Sequence, residues 1–418
     1  MPEYLEKTRT YLTEQLIPFW ASRIRDSEDG GFHTNYDRDG NRTAVREKTL
    51  LCQARSLFTI AHAQRLGFDW PDGKHVLADG IRCLERRFRN PDGPGYFWIV
   101  GDDGAVKDDR NVMYGLSFLV YAFSEVALLI GDKTAGRRAE ELFDQVCARA
   151  ADLHHGGVFE HFDRDFRPES VRPDGCLHKS LDVHMHLMEA FTALAEWTRS
   201  PRHLQALEEI SELIFHRMVD PETGTGIAMF RPDWTPVSNV QLGTLWGSDR
   251  FDAEGKPPEI TSYGHNIELA WLYLHSLRVR GVPPENGLDR VRPIFEHTAR
   301  HGVDLQYGGL FVEGYRAGPV TEDNKEFWQQ AEALVGFLDA YDFTGDVIYA
   351  DAFRAVHDFV FRHVINRDAG EWFPLLARDG TVLWDYMGHN WKTCYHTVRS
   401  MCETVKRLER LEQQGRSL

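Results

Sequence analysis

The sequence predicts an all-α fold, an (α/α)6 barrel of twelve helices with short β-hairpins in the connecting loops. Three observations carry this reading. A glycine signature followed by aromatic or apolar residues recurs six times, helical apolar periodicity fills the segments between the signatures, and the periodic segments number twelve. The signatures are DGGFH at Asp29 to His33, GPGYFW at Gly93 to Trp98, HGGVFE at His155 to Glu160, GTGIAMF at Gly224 to Phe230, YGGLFVE at Tyr307 to Glu313 and AGEWF at Ala369 to Phe373. Their glycines lie about 60 to 85 residues apart, room for two helices and a long connection in each repeat.

Taken in order, the first helix is expected at 3–25, ahead of the first signature. Helices at 48–66 and 72–90 follow, separated by a turn containing Gly67 and Pro71, then 111–131 and 133–152, broken at Gly131 and Asp132. The next pairs are 178–199 with 201–218, broken before Pro201, and 261–280 with 287–301, broken at Gly281 and Pro283. Helices at 325–344 and 346–365, divided by Gly345 and Asp346, precede a last one at 391–414. The signatures, with their β-branched and aromatic neighbours, read as short strands or hairpins. Twelve helices hide every apolar stripe most economically as a ring, six inside and six outside. An open α-solenoid is the alternative, but the end repeats show no obviously polar capping face. A length of 418 residues would by itself allow two or three domains. The repeats instead predict one domain over 1–418.

Composition narrows the function. The chain is 42% hydrophobic and 27% charged, near the globular average, which excludes disordered and disulfide-scaffold classes. A surplus of 64 acidic over 48 basic residues, net charge −16, argues against binding nucleic acid, which needs a cationic face. The opening MPEYLEKTRT does not read as a secretory signal, and no apolar run approaches the roughly 20 residues that span a bilayer. The six cysteines are scattered without a CxxC pair, so buried free thiols in a cytoplasmic protein are expected, and a zinc site is disfavoured on spacing. The acidic surplus is expected on the outer helices and loops.

Unusual polar and aromatic residues fall in the helix that follows each signature. They are Arg55, Tyr114, Asp182 with His184 and His186, His265 with Glu268, Trp328 with Glu332, and Trp391 with Tyr395 and His396. If those helices are the inner ones, their N-terminal ends share one rim and these residues converge on one cavity. Capping explains Asp and Ser at such positions, whereas His, Arg and Trp are poor caps. Residues three or four apart share a helix face, so Asp182 aligns with His186 and His265 with Glu268, while His184 points elsewhere. Two histidines spaced as His184 and His186 cannot easily ligate one metal. Two imidazoles on different helices, an Arg and aromatic walls suit proton removal and return on opposite faces of a carbon beside a carbonyl. No phosphate-binding glycine loop is present.

The segments CLHKSLDVHMHLMEAF, SYGHNIELAWL, KEFWQQAEALVGFLDAY…TGD and NWKTCYHTVR resemble, in order and across essentially the whole chain, motifs of the N-acylglucosamine 2-epimerase superfamily, especially its cellobiose 2-epimerase and mannose-acting branches. That resemblance implies an (α/α)6 barrel and a cofactor-free, metal-free sugar 2-epimerase. It implies that His265 and His396 are the acid/base pair at C2, that Arg55 holds the carbonyl or enediolate oxygen, that Glu268 supports His265, and that His186 assists ring opening. Tyr114, Asp182, Trp328 and Trp391 would line the sugar site. The expected partner is a small sugar, with no nucleic acid and no membrane, and the protein a monomer or homodimer. Two departures bear on the substrate. Asp182 stands where the cellobiose enzymes resemble KSMNTHLH with Asn, and a carboxylate there favours protonated His186. The last motif reads WKTCYH rather than WKCPYH. An aldose–ketose isomerase on the same barrel is the runner-up. A glycoside hydrolase using carboxylates such as Asp182, Glu268 and Glu332 is a third reading, and a non-catalytic sugar-binding barrel a fourth.

Overall fold

Short polar caps and glycine stops set the helices out along the chain. In the computed structural model, which describes residues 1–240 and 255–418, twelve helical rods occur among the described residues. Those of the outer layer are α1 (2–21), α3 (73–88), α5 (Lys133–Arg149), α7 (Pro201–Arg217), α9 (288–302) and α11 (347–364), four of which include a five-residue π turn. Alternating with them are α2 (Leu50–Arg65), α4 (Met113–Ile130), α6 (Leu181–Thr198), α8 (Tyr263–Arg280), α10 (Phe327–Thr344) and α12 (Cys394–Gln413). Each even-numbered helix packs on the next, and α12 packs back on α2, so six inner helices close a ring. The odd-numbered helices bury one stripe, as α5 does with Ala135, Ala139, Leu142, Phe143 and Val146. The first helix completes the outer layer by packing against the last. The ring, rather than the open solenoid, is what forms.

The inner helices begin two or three residues later than periodicity places them, and for α2, α4, α6, α8 and α10 the reason is that the residues before them pair as strands. Glu47–Thr49 pairs antiparallel with Ile99–Gly101, Asn111–Val112 with His161–Phe162, and Lys179–Ser180 with Met229–Phe230. Ile260–Ser262 pairs with Glu313–Tyr315 and Lys325–Glu326 with Leu375–Leu376. Each strand that follows a glycine signature is thus laced to the strand entering the preceding inner helix. Thr49, Ser180, Ser262 and Thr393 then cap their helices by accepting a backbone N–H. Gly131, Gly281 and Gly345 end three inner helices in the left-handed region, which glycine enters without steric cost.

Two composition-based expectations need correction. Helix α4 is 18 residues long with mean hydropathy 1.7, long and apolar enough to cross a membrane by length and composition. It is 83% buried inside the barrel, since an inner helix touches both neighbours and the outer layer. The cysteines are all free, but only Cys52, Cys83, Cys394 and Cys402 are buried; Cys147 is exposed and Cys176 half-buried.

Candidate active site

All nine residues expected at the site line a single cavity of about 540 Å³ at the N-terminal rim of the inner helices: Arg55, Tyr114, Asp182, His186, His265, Glu268, Trp328, Trp391 and His396. That volume is in the range of small-molecule sites. The convergence follows from the fold, because every inner helix starts at the same rim and presents its first turns inward.

Two imidazoles meet one indole. The Trp328 ring lies 4.7 Å from His265 and 5.7 Å from His396, centroid to centroid. The Nδ1 of His396 donates to Glu332 at 2.7 Å, since a carboxylate only accepts, and this leaves Nε2 as the free base. Burial drives the pKa of His396 down to about 3, more than Glu332 offsets, so the ring is neutral. Burial also lowers that of His265, against the pull of Asp182. Its Nε2 lies 3.6 Å from Asp182 Oδ1.

His186 is the opposite case. It contacts Asp182 Oδ1 at 3.2 Å through Nε2 and Glu189 Oε2 at 2.9 Å through Nδ1. Burial alone would lower its pKa, but these two carboxylates raise it to about 9. The ring is an imidazolium at neutral pH, as the Asp182 substitution predicted. Asp182 is held down near 2: burial opposes this, and His186 and His265 outweigh it.

Arg55 donates to Tyr114 Oη at 2.9 Å and to the Trp391 carbonyl at 3.3 Å, and its guanidinium lies 4.4 Å from the centre of the Phe118 ring. Its buried Nε has no hydrogen-bond partner, leaving one donor for an anionic oxygen.

The expected Glu268–His265 pair does not form. Glu268 lies one turn deeper, 1% exposed, and accepts from Arg399 Nη2 at 3.1 Å. Arg399 is the hub of the barrel axis. It also donates to Glu332 at 2.6 Å and to Glu189 and Tyr395. A buried guanidinium needs carboxylates within reach, and this demand takes Glu268 away from His265. The carboxylate that backs an imidazole is instead Glu332, on α10, serving His396 on α12. Burial, and then the charge of Glu332, push Glu268 up to about 8, so it is a carboxylic acid at neutral pH. With Glu268 protonated, the charges of Asp182, Glu189 and Glu332 are matched by those of Arg55, His186 and Arg399. Its Oε2 is buried without a partner.

Arg399, Glu189 and Glu332 are absent from the nine expected residues. One rule finds all three, since Glu189 and Arg399 stand three residues after His186 and His396, and Glu332 four after Trp328. His184 is structural. Its Nε2 accepts the backbone N–H of Val158 at 3.1 Å and its Nδ1 bonds the Ser180 carbonyl at 2.8 Å. The acidic surplus is not confined to the outside, because Glu160, Glu313 and Glu326 also line the cavity.

Residues 30–400 match the profile of the N-acylglucosamine 2-epimerase (GlcNAc 2-epimerase) family. The chain is 26% identical over 405 residues to the cellobiose 2-epimerase of Eubacterium cellulosolvens, covering 94% of this chain and 96% of that protein. It is likewise 26% identical over 398 residues to the D-mannose isomerase of Marinomonas mediterranea, covering 94% and 95%. The solved cellobiose 2-epimerase of Spirochaeta thermophila superposes with a TM-score of 0.86 at 28% identity, over 98% of each chain.

Proposed function

The chain belongs to the N-acylglucosamine 2-epimerase family, and on that premise we propose that it is a cofactor-free sugar 2-epimerase interconverting gluco- and manno-configured aldoses, free or at a reducing end. It is an enzyme of the isomerase class. The observation that carries the finer reading is that two imidazoles from different helices, His396 bonded to Glu332 and His265 near the Asp182 it shares with His186, flank one indole in the cavity that Arg55 also lines.

The chemistry follows from those positions. His186, protonated, gives a proton to the pyranose ring oxygen as the C1–O5 bond breaks, the anomeric O1–H proton passes to the imidazole that later reprotonates C2, and the resulting aldehyde acidifies the C2 proton. One neutral imidazole takes that proton, and the C2–H electrons form the C1–C2 double bond of an enediolate. Arg55 and the acid form of Glu268 stabilise its oxygen by hydrogen bonding. The other imidazole, protonated, returns a proton to the opposite face of C2. Asp182 stabilises the imidazolium of His265 and Glu332 that of His396, so either direction is served by the same pair. Each positioned base contributes about 10²–10⁴-fold.

The resemblance to a D-mannose isomerase favours a second reading, in which one imidazole carries the C2 proton to C1 and yields a ketose. A hydrolase is disfavoured because Glu268 and Glu332 are both tied to Arg399 rather than set across a bond. Incubation with mannose in heavy water, with glucose and fructose resolved by chromatography, tests the proposal. The expected product is glucose carrying deuterium at C2; fructose as sole product refutes it. Replacing His265 or His396 by Asn should each abolish epimerisation.

A further inference from the structure

Three groupings of acidic residues and histidines, among the described residues, bring ligand atoms within 4.8 Å of one another. In two of them a side-chain cation already occupies the centre. Arg399 bridges Glu268 and Glu332 beside His396, and Lys48 Nζ lies 2.7 Å from Asp26 and 2.8 Å from Asp102 beside Asp29. The third, Glu160 with His161 and His178, has no Lys or Arg within ion-pair distance among the described residues.

We propose that Glu160, His161 and His178 form a binding site for a transition-metal dication of the zinc class in the wall of the sugar cavity. The three side chains are 5%, 4% and 3% exposed, and all of them line the cavity that contains His265 and His396. Glu160 and His161 come from the third glycine signature and its strand, and His178 from the residue before the strand Lys179–Ser180; the Ser180 backbone N–H on Glu160 and the His178–Glu160 contact tie the two segments together. His178 Nε2 lies 3.2 Å from Glu160 Oε2. Zinc–nitrogen and zinc–oxygen bonds of about 2.0–2.2 Å at a tetrahedral angle put two ligand atoms about 3.4 Å apart, close to that separation.

His161 carries a buried Nδ1 with no hydrogen-bond partner, and His178 Nε2 is likewise buried without a hydrogen bond, so two imidazole nitrogens of this cluster are uncompensated. The other carboxylate oxygen of Glu160 accepts the Ser180 backbone N–H, which orients the group as an outer-shell partner does in metal sites. Two imidazoles and one carboxylate select zinc-class ions over magnesium or calcium, which take oxygen donors. Three protein ligands leave a fourth position open toward the cavity, where water or a sugar hydroxyl completes the shell.

Chelator-treated full-length protein titrated calorimetrically with ZnCl2, and with CoCl2 followed by visible absorption, tests the site. One equivalent of Zn2+ should bind, Co2+ should give the intense absorption of a four-coordinate ion, and MgCl2 should give no binding heat. His161→Gln and His178→Gln should each weaken Zn2+ binding at least about 10-fold, the lower end of what outer-shell losses already cost. Each should also remove the Co2+ band, with the circular dichroism of the metal-free protein unchanged. Should His178→Gln unfold because Glu160 loses its partner, His161→Gln, whose Nδ1 has no bond to lose, decides. His396→Asn should leave Zn2+ affinity intact. Absence of binding, wild-type affinity in His161→Gln, or loss of binding in His396→Asn alone overturns the proposal.

Discussion

Replacing Glu332 by Gln isolates the charge behind His396. Three donors converge on this carboxylate: Arg399 Nη2 at 2.6 Å, His396 Nδ1 at 2.7 Å and Trp271 Nε1 at 3.1 Å. A carboxylate accepts all three. An amide of the same shape accepts at one oxygen only, and the Arg399 charge holds that oxygen on the side shared with His396. The amide NH2 then faces the Trp271 N–H, donor to donor. His396 keeps its tautomer but loses the negative charge that stabilises its imidazolium as the C2 proton arrives. Hydrogen bonds to charged groups are worth about 1.5–3 kcal/mol against about 0.5–1.5 for neutral ones. With the lost attraction between charges in a buried site, the transition state should rise by about 2–3 kcal/mol, or ~30- to 150-fold in kcat. Glu332 does not line the cavity, so KM should stay within about 3-fold of wild type. Initial rates of epimerisation give both constants. Wild-type kcat in a folded Glu332→Gln protein, or a loss carried wholly by KM, would refute the coupling.

Asp182→Asn restores the amide of the related motif and removes one of the two carboxylates that protonate His186. The alkaline limb of the pH–rate profile should move to lower pH, and an unchanged limb would show that His186 does not control it. Because the folded pKa of His186, about 9, exceeds its ordinary 6.5, its contribution to stability is complete below about pH 6.5 and lost as pH rises through 9. Melting temperature should therefore fall between those values, and fall less in Asp182→Asn. Arg399→Met should cost about 3–5 kcal/mol in urea unfolding by stranding the buried carboxylates of Glu189 and Glu332, and a loss under 1 kcal/mol would contradict the hub. Gly157→Ala puts a Cβ 2.8 Å from both His184 Nε2 and the Trp234 ring at φ +74°, and should destabilise by about 1–3 kcal/mol in the same assay.

Much of the architecture was legible because it is written in short-range pattern. Apolar spacing separates α5, with one buried stripe, from α4, buried all round, and Gly131 and Asp132 mark the break between them. The two- or three-residue error at the starts of α2, α4, α6, α8 and α10 arose because Lys179–Ser180 and its counterparts pair with strands some 50 residues away. A side-chain bridge between two loops, Glu160 accepting from Ser180 N–H and meeting His178, assembled Glu160, His161 and His178, which no local spacing would group.

The sequence by itself determined that twelve helices form six repeats, that one rim collects the polar first turns, and that nine named residues share a cavity. Helix phase and capping are local properties, readable over a few residues. Only the tertiary structure decided which charge answers which. Glu332 backs His396, Glu268 turns to Arg399 rather than to His265, and Asp182 spans His186 and His265. Those partners lie on different inner helices, and their meeting depends on which helices the ring makes neighbours and how far each is shifted along the axis. Once they meet in a buried site, Arg399 holds Glu189 and Glu332 ionised while burial and the charge of Glu332 keep Glu268 protonated, an effect that belongs to the packed barrel and to no segment of the chain.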